Sequence, residues 1–161
     1  MKPPIKNFAA VLYVTVFLSA AASAGPVSSA SFPEALRTAE RIVGQNPDWS
    51  IYRALGDSMG DYYGSDSLLL VKAARLSDVR VGMMVVYRGR GGELIAHKVV
   101  EHNGTWLRTQ GVRNERMDPV YLRAEMLVGT VFGVVHASAL PTTRIRGSDG
   151  RALPTAYCRS F

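Results

Sequence analysis

Three polar residues stand where a β-rich chain would not need them. Ser58 lies between Gly56-Asp57 and Met59-Gly60. The neighbouring glycines let the backbone fold tightly enough to expose a hydroxyl together with its own N–H. A nucleophilic serine requires both that exposure and a backbone donor for the oxyanion. His97 falls inside the run Leu94-Ile95-Ala96-His97-Lys98-Val99-Val100. Alternation places it on one face with Ile95 and Val99 and turns Lys98 to the other. An imidazole among apolar neighbours suits a neutral base. Asp118 follows the turn-like Gly111-Val112-Arg113-Asn114 and precedes Pro119, whose fixed φ restrains the backbone that aims the carboxylate. Nucleophile, base and orienting acid are the parts of an acyl-transfer site. Each residue also has a plain structural reading: a turn former, a core histidine, a turn or cap aspartate. Spacing alone does not bring the three together.

The elements that must position them are short and extended. Ser50-Leu55, Leu68-Lys72, Met84-Arg88, Leu94-Glu101, Thr105-Thr109 and Met126-His136 are rich in Val, Ile, Leu and aromatics, and Gly, Asp or Asn clusters bound them. Arg88-Gly89-Arg90-Gly91-Gly92 and His102-Asn103-Gly104 read as hairpin turns. One helix precedes the strands: Ser31 as N-cap, Pro33 in the first turn, Glu34 completing a capping box, and Ala35, Leu36, Ala39, Ile42 and Val43 at helical spacing before Gly44. The expected fold is therefore mainly β, an antiparallel domain over residues 48–138 after one short amphipathic helix within 25–47. Residues 139–161, with two prolines, four arginines and no periodicity, are expected to form a basic, loosely ordered tail.

Residues 1–24 form a targeting segment. Lys2 and Lys6 give a basic start, Phe8 to Ala22 is almost wholly apolar, and Ala22-Ser23-Ala24 precedes Gly25-Pro26. That order spells a secretory signal peptide, or an uncleaved N-terminal membrane anchor, since the run borders on the length needed to span hydrocarbon. Both send the remainder across a membrane, to be periplasmic, secreted or anchored outside. The single cysteine, Cys158, allows no intrachain disulfide and no thiolate metal cage. The net charge of +6 is unevenly spread. Residues 1–24 contribute two lysines and no acid, and residues 139–161 four arginines against Asp149. The 13 basic and 12 acidic side chains left for residues 25–138 make a nearly neutral domain. With no helix-turn-helix, RNA motif or basic stripe, nucleic acid is not an expected partner; the basic ends favour an anionic membrane surface.

Several of these segments together resemble the signal peptidase I family. They are Gly56-Asp57-Ser58-Met59, Val81-Gly82-Met83-Met84-Val85-Val86-Tyr87 and Ala96-His97-Lys98-Val99-Val100, then Arg108-Thr109-Gln110-Gly111-Val112-Arg113-Asn114 with Asp118, and Val128-Gly129-Thr130-Val131. Within that superfamily, which includes the self-cleaving SOS repressors, the pattern is most similar to the archaeal and endoplasmic-reticulum branch. There a "GxSM" box carries the nucleophile, and histidine replaces the bacterial lysine. The resemblance spans about 80 of the 161 residues in family order. It implies Ser58 as nucleophile, His97 as general base and Asp118, seven residues after Gly111, as the carboxylate that orients the histidine. Met59 would then lie against substrate. The implied substrate is an extended exported peptide or pre-protein with small residues before the cleaved bond, and no cofactor or metal is implied. Lys98 is the competing base, but its parity opposes His97 and it aligns with the family's arginine.

The departures are equally specific. Gly60-Asp61 stands where the family usually has a proline-containing turn, and Met83 and Val112 replace two aspartates. Gly56 stands where some members carry a serine that donates a second oxyanion bond. The Ser58 N–H is left as the sole expected donor, and losing one donor from such a hole costs about 10²–10³ in rate. The alternative expectation is a catalytically weak or inactive exported β module that binds extended peptides or a partner protein.

Overall fold

The computed structural model describes residues 30–160. The proposed targeting segment 1–24 and most of the linker after it lie outside those residues.

Helix α1 spans Phe32–Val43. At its start the Ser31 N–H and hydroxyl both donate to the Glu34 carboxylate, at 2.8 and 2.7 Å. These bonds hold the Glu34 carboxyl below its usual value. Ala35 and Ala39 are fully buried against Ile51, Leu68, Leu70 and Ala137, with Leu36, Ile42 and Val43 completing the seam. Small residues on the buried face let the helix lie close to the sheet. The helix thus docks on the β domain.

Seven strands follow: β1 (Trp49–Gly56), β2 (Ser67–Lys72), β3 (Met84–Arg88), β4 (Leu94–His102), β5 (Leu107–Gln110), β6 (Leu127–His136) and β7 (Thr155–Cys158). The sheet order β3-β6-β2-β1-β7-β4 closes through a β3–β4 pairing, giving a six-strand barrel with β5 added to the far half of β4. The mainly β expectation holds, and the six runs picked out in the sequence overlap β1 to β6, the fifth starting at Leu107 rather than Thr105. β2 is buried on both faces because its alternate residues meet different layers. Leu68 and Leu70 pack under α1, whereas Leu69 and Val71 enter a cluster with Ala54, Met59, Tyr63, Val86, Ala96, Ala156 and Cys158. A further cluster joins Val85, Tyr87, Ile95, Val99, Leu107 and Leu122 around the opposite faces of β3, β4 and β5.

The tail departs from expectation: as far as residue 160 it is tied to the domain rather than loosely held. Ile145 is buried, Leu153 N–H bonds to the Ile145 carbonyl at 2.9 Å, and a Gly147–Gly150 turn is anchored where Ser148 N–H donates to Glu40 of α1 at 2.6 Å. The chain then enters the barrel as β7, parallel to both β1 and β4. Four residues are too few for a periodic signal. What makes them a strand is the pair of free edges presented by β1 and β4, residues far away in the sequence.

Candidate active site

The ends of β1 and β4, the β3–β4 pair and the loop after β5 converge on one buried constellation. β1 ends at Gly56, whose φ of 116° suits glycine alone, and Ser58 follows in the turn. Ser58 Oγ lies 2.9 Å from His97 Nε2, and His97 Nδ1 lies 2.7 Å from Asp118 Oδ2. The three residues picked out in the sequence therefore form a continuous chain. Ser58 is 1% exposed; His97 and Asp118 are fully buried.

Three donors meet at one oxygen. Besides His97, the Tyr87 hydroxyl donates to Asp118 Oδ2 at 2.8 Å and the Thr109 hydroxyl at 2.6 Å. Asp118 Oδ1 has no hydrogen-bond partner among the described residues. Burial works to raise the Asp118 carboxyl, but the His97 hydrogen bond and charge, with the Thr109 and Tyr87 hydroxyls, outweigh it and hold the group below its ordinary value. An ionised Asp118 fixes the imidazole tautomer: Nδ1–H donates to the carboxylate, so Nε2 is left to accept the Ser58 proton. Burial and the neighbouring carboxylate push the Tyr87 phenol well above its usual value, so it remains a donor.

The loop between β5 and Asp118 is closed at both ends. Asp118 N–H bonds to the Thr109 carbonyl at 2.8 Å, and Arg113 N–H bonds to the Ser58 carbonyl at 2.8 Å. Gly111 is required there by closeness: a Cβ would lie 2.6 Å from Asn114 Nδ2 and 2.8 Å from Ser58 Cβ. Pro119 follows this turn, as expected from the sequence.

Lys98 does not join the site. It is partly exposed, paired across the sheet with Met84 and Gln110, on the face opposite His97. His136 ends β6 and its Nδ1 pairs with Ser67 Oγ at 3.1 Å, and His102 ends β4. Met59 is fully buried in the same cluster as Ala156 and Cys158, beneath β7. Two members of the site were missed in the sequence, Tyr87 and Thr109. Their only signal was a hydroxyl sharing a strand face with an apolar residue, Tyr87 with Val85 on β3 and Thr109 with Leu107 on β5.

The expected oxyanion donor is engaged: Ser58 N–H donates to the Cys158 carbonyl of β7 at 3.3 Å. No group of three or more His, Cys, Asp or Glu side chains arranged to hold a metal occurs among the described residues. Chemically, the arrangement can activate a serine hydroxyl for attack on a carbonyl. No protein-family model matches this chain, and no curated protein matches it.

Proposed function

We propose that this protein is a serine endopeptidase of signal-peptidase type, acting on exported peptides or pre-proteins through Ser58, His97 and Asp118. The observation that carries the reading is the unbroken Ser58–His97–Asp118 relay, with contacts of 2.9 and 2.7 Å, assembled from three separate parts of the chain. His97 Nε2 takes the Ser58 proton as Oγ attacks the scissile carbonyl, and Asp118 stabilises the imidazolium that forms. The Ser58 N–H meets the oxyanion. His97 then protonates the leaving amine, and water resolves the acyl-enzyme. β7 fills the slot between β1 and β4 and engages the Ser58 N–H, so a separate peptide would lie extended there only once β7 is released.

Export through residues 1–24 is part of the same reading. No helix among the described residues is long and apolar enough to cross a membrane.

The second reading, an exported module that binds extended peptides or a partner protein without turnover, is favoured by one observation: Ser58 is closed off from solvent. Wild-type and Ser58→Ala chains, assayed on a pre-secretory peptide and with a fluorophosphonate probe, separate the two. The protease reading expects cleavage and labelling in the wild type and neither in the variant. Equal behaviour of both chains leaves the binding module.

A further inference from the structure

The strand that fills the slot has the features of a substrate. β7 is paired on both sides, Ala54 with Ala156, Leu55 with Tyr157 and Gly56 with Cys158 on β1, and Leu94 with Ala156 and Ile95 with Tyr157 on β4. Both neighbours lead into the reactive pair: β1 ends two residues before Ser58, and His97 lies two residues beyond Ile95 on β4. Because the pairing is parallel, β7 runs toward the site and arrives there at Cys158.

At that point the Cys158 carbonyl accepts the Ser58 N–H, at 3.3 Å. The position that must receive the scissile carbonyl is therefore held by this chain's own residue. The approach is close enough that a Cβ on Gly56 would lie 1.9 Å from that carbonyl oxygen. Side chains alternate as a groove ligand's do: Ala156 and Cys158 are fully buried beside Met59, whereas Tyr157 is 38% exposed. Beyond the carbonyl the chain is gripped again. Asn114 Nδ2 donates to the Arg159 carbonyl at 3.2 Å, Ser160 Oγ donates to Asn114 Oδ1 at 3.0 Å, and the Arg159 guanidinium pairs with Glu93. A cavity of about 320 Å³, lined by Arg113, Asn114, Glu115, Arg116 and Ser160, lies on this departing side.

We propose that the C-terminal segment is a substrate carried in cis, and that Ser58 cleaves the Cys158–Arg159 bond of its own chain. The inference rests on the serine endopeptidase reading. Ser58 Oγ bonds to the Cys158 carbonyl carbon as its proton passes to His97 Nε2. The C–N bond to Arg159 breaks and His97 returns that proton to the Arg159 amine, which leaves with the residues that follow it. Water then hydrolyses the Ser58 ester, giving a Cys158 carboxylate and restoring the hydroxyl. No oxidant, metal or co-reactant is needed.

The test is the intact mass of purified chain over time, with sequencing of the C-terminal peptide. Wild type is expected to accumulate protein ending at Cys158. Ser58→Ala, shown to be folded by a matched thermal melt, is expected to keep Arg159, Ser160 and Phe161, with conversion slower by at least about 10⁴-fold. Ala156→Trp, which overfills the buried position two residues before Cys158, should also slow conversion. A wild-type chain that keeps Arg159 yet cuts an unrelated pre-secretory peptide in a Ser58-dependent way overturns the cis substrate and leaves the protease reading standing. A chain that cuts neither overturns both. Removal of Arg159 at equal rates in wild type and Ser58→Ala assigns the cut to another enzyme and also overturns the inference.

Discussion

At the residue scale the site depends on one carboxylate oxygen. Asp118 Oδ2 receives His97, Tyr87 and Thr109, and together they keep the acid ionised despite complete burial. A carboxyl held below its unfolded-chain value stabilises the fold most when it is charged. Its contribution is therefore fully present above the unfolded value of about 3.9. It is lost as pH falls through the lower value of the folded state. Asp118→Asn should accordingly be less stable than wild type at neutral pH, with the two urea curves converging as pH falls below about 4. A stability gap independent of pH would show that the acid is not held in its charged form. On the proposed serine-peptidase reading the same variant should lose about 10⁴-fold in kcat, because an amide no longer selects the tautomer that leaves Nε2 as acceptor.

At the element scale, β7 gives the barrel its sixth side and closes the site in the same stroke. Its four residues gain both edges of pairing from strands about sixty and one hundred positions earlier. Cys158 provides a reporter for this strand. Burial pushes its thiol up to about 12, opposed only in part by a hydrogen bond to the Leu55 backbone. The group is consequently a neutral thiol at ordinary pH, and the thiolate is the form that alkylates. Maleimide should react with native chain only through openings that release β7, far more slowly than with urea-unfolded chain. Gly56→Ala, which sets a Cβ against the Cys158 carbonyl, should speed labelling at least tenfold in chain that remains folded by circular dichroism. Equal labelling of the two folded chains would place the control of Cys158 access elsewhere.

At the scale of the whole molecule, helix, barrel and C-terminal segment form one unit. Ala35 and Ala39 seat α1 on β1 and β2, and Glu40 of the same helix holds the Ser148 amide of the turn that feeds β7. Loosening the helix should therefore disturb the site at the other end of that connection. Ala39→Leu adds volume at a fully buried contact and should cost about 1–3 kcal/mol. The two tryptophans report separate regions, Trp49 against Phe132 near α1 and Trp106 against Tyr121 beyond β5. Urea transitions followed through each tryptophan alone, in single Trp→Phe variants, should coincide and shift together. Separate midpoints would mean that the β1–β6 side beside α1 and the β4–β5 side unfold independently.

The amino-acid sequence by itself determined the strands whose partners lie nearby and whose pattern is strong. β1 to β6 and α1 announce themselves through apolar runs, alternation, glycine-bearing turns and a capping residue, all of them local signals. It also supplied Ser58, His97 and Asp118 as types suited to acyl transfer, since unusual side chains can be seen wherever they fall. Their convergence had no local signal, because it depends on how β1, β4 and the loop after β5 are brought together. Tyr87 and Thr109 were hidden for a related reason: a hydroxyl on a strand looks the same whether it meets water or a buried carboxylate. β7 was the largest omission. Thr155-Ala156-Tyr157-Cys158 has no periodicity and comes after a proline, so composition argued for a loose tail. Only the tertiary structure decided otherwise, because the unsatisfied edges of two distant strands, not the segment's own preferences, make those residues a strand and lay their last carbonyl on the amide of Ser58.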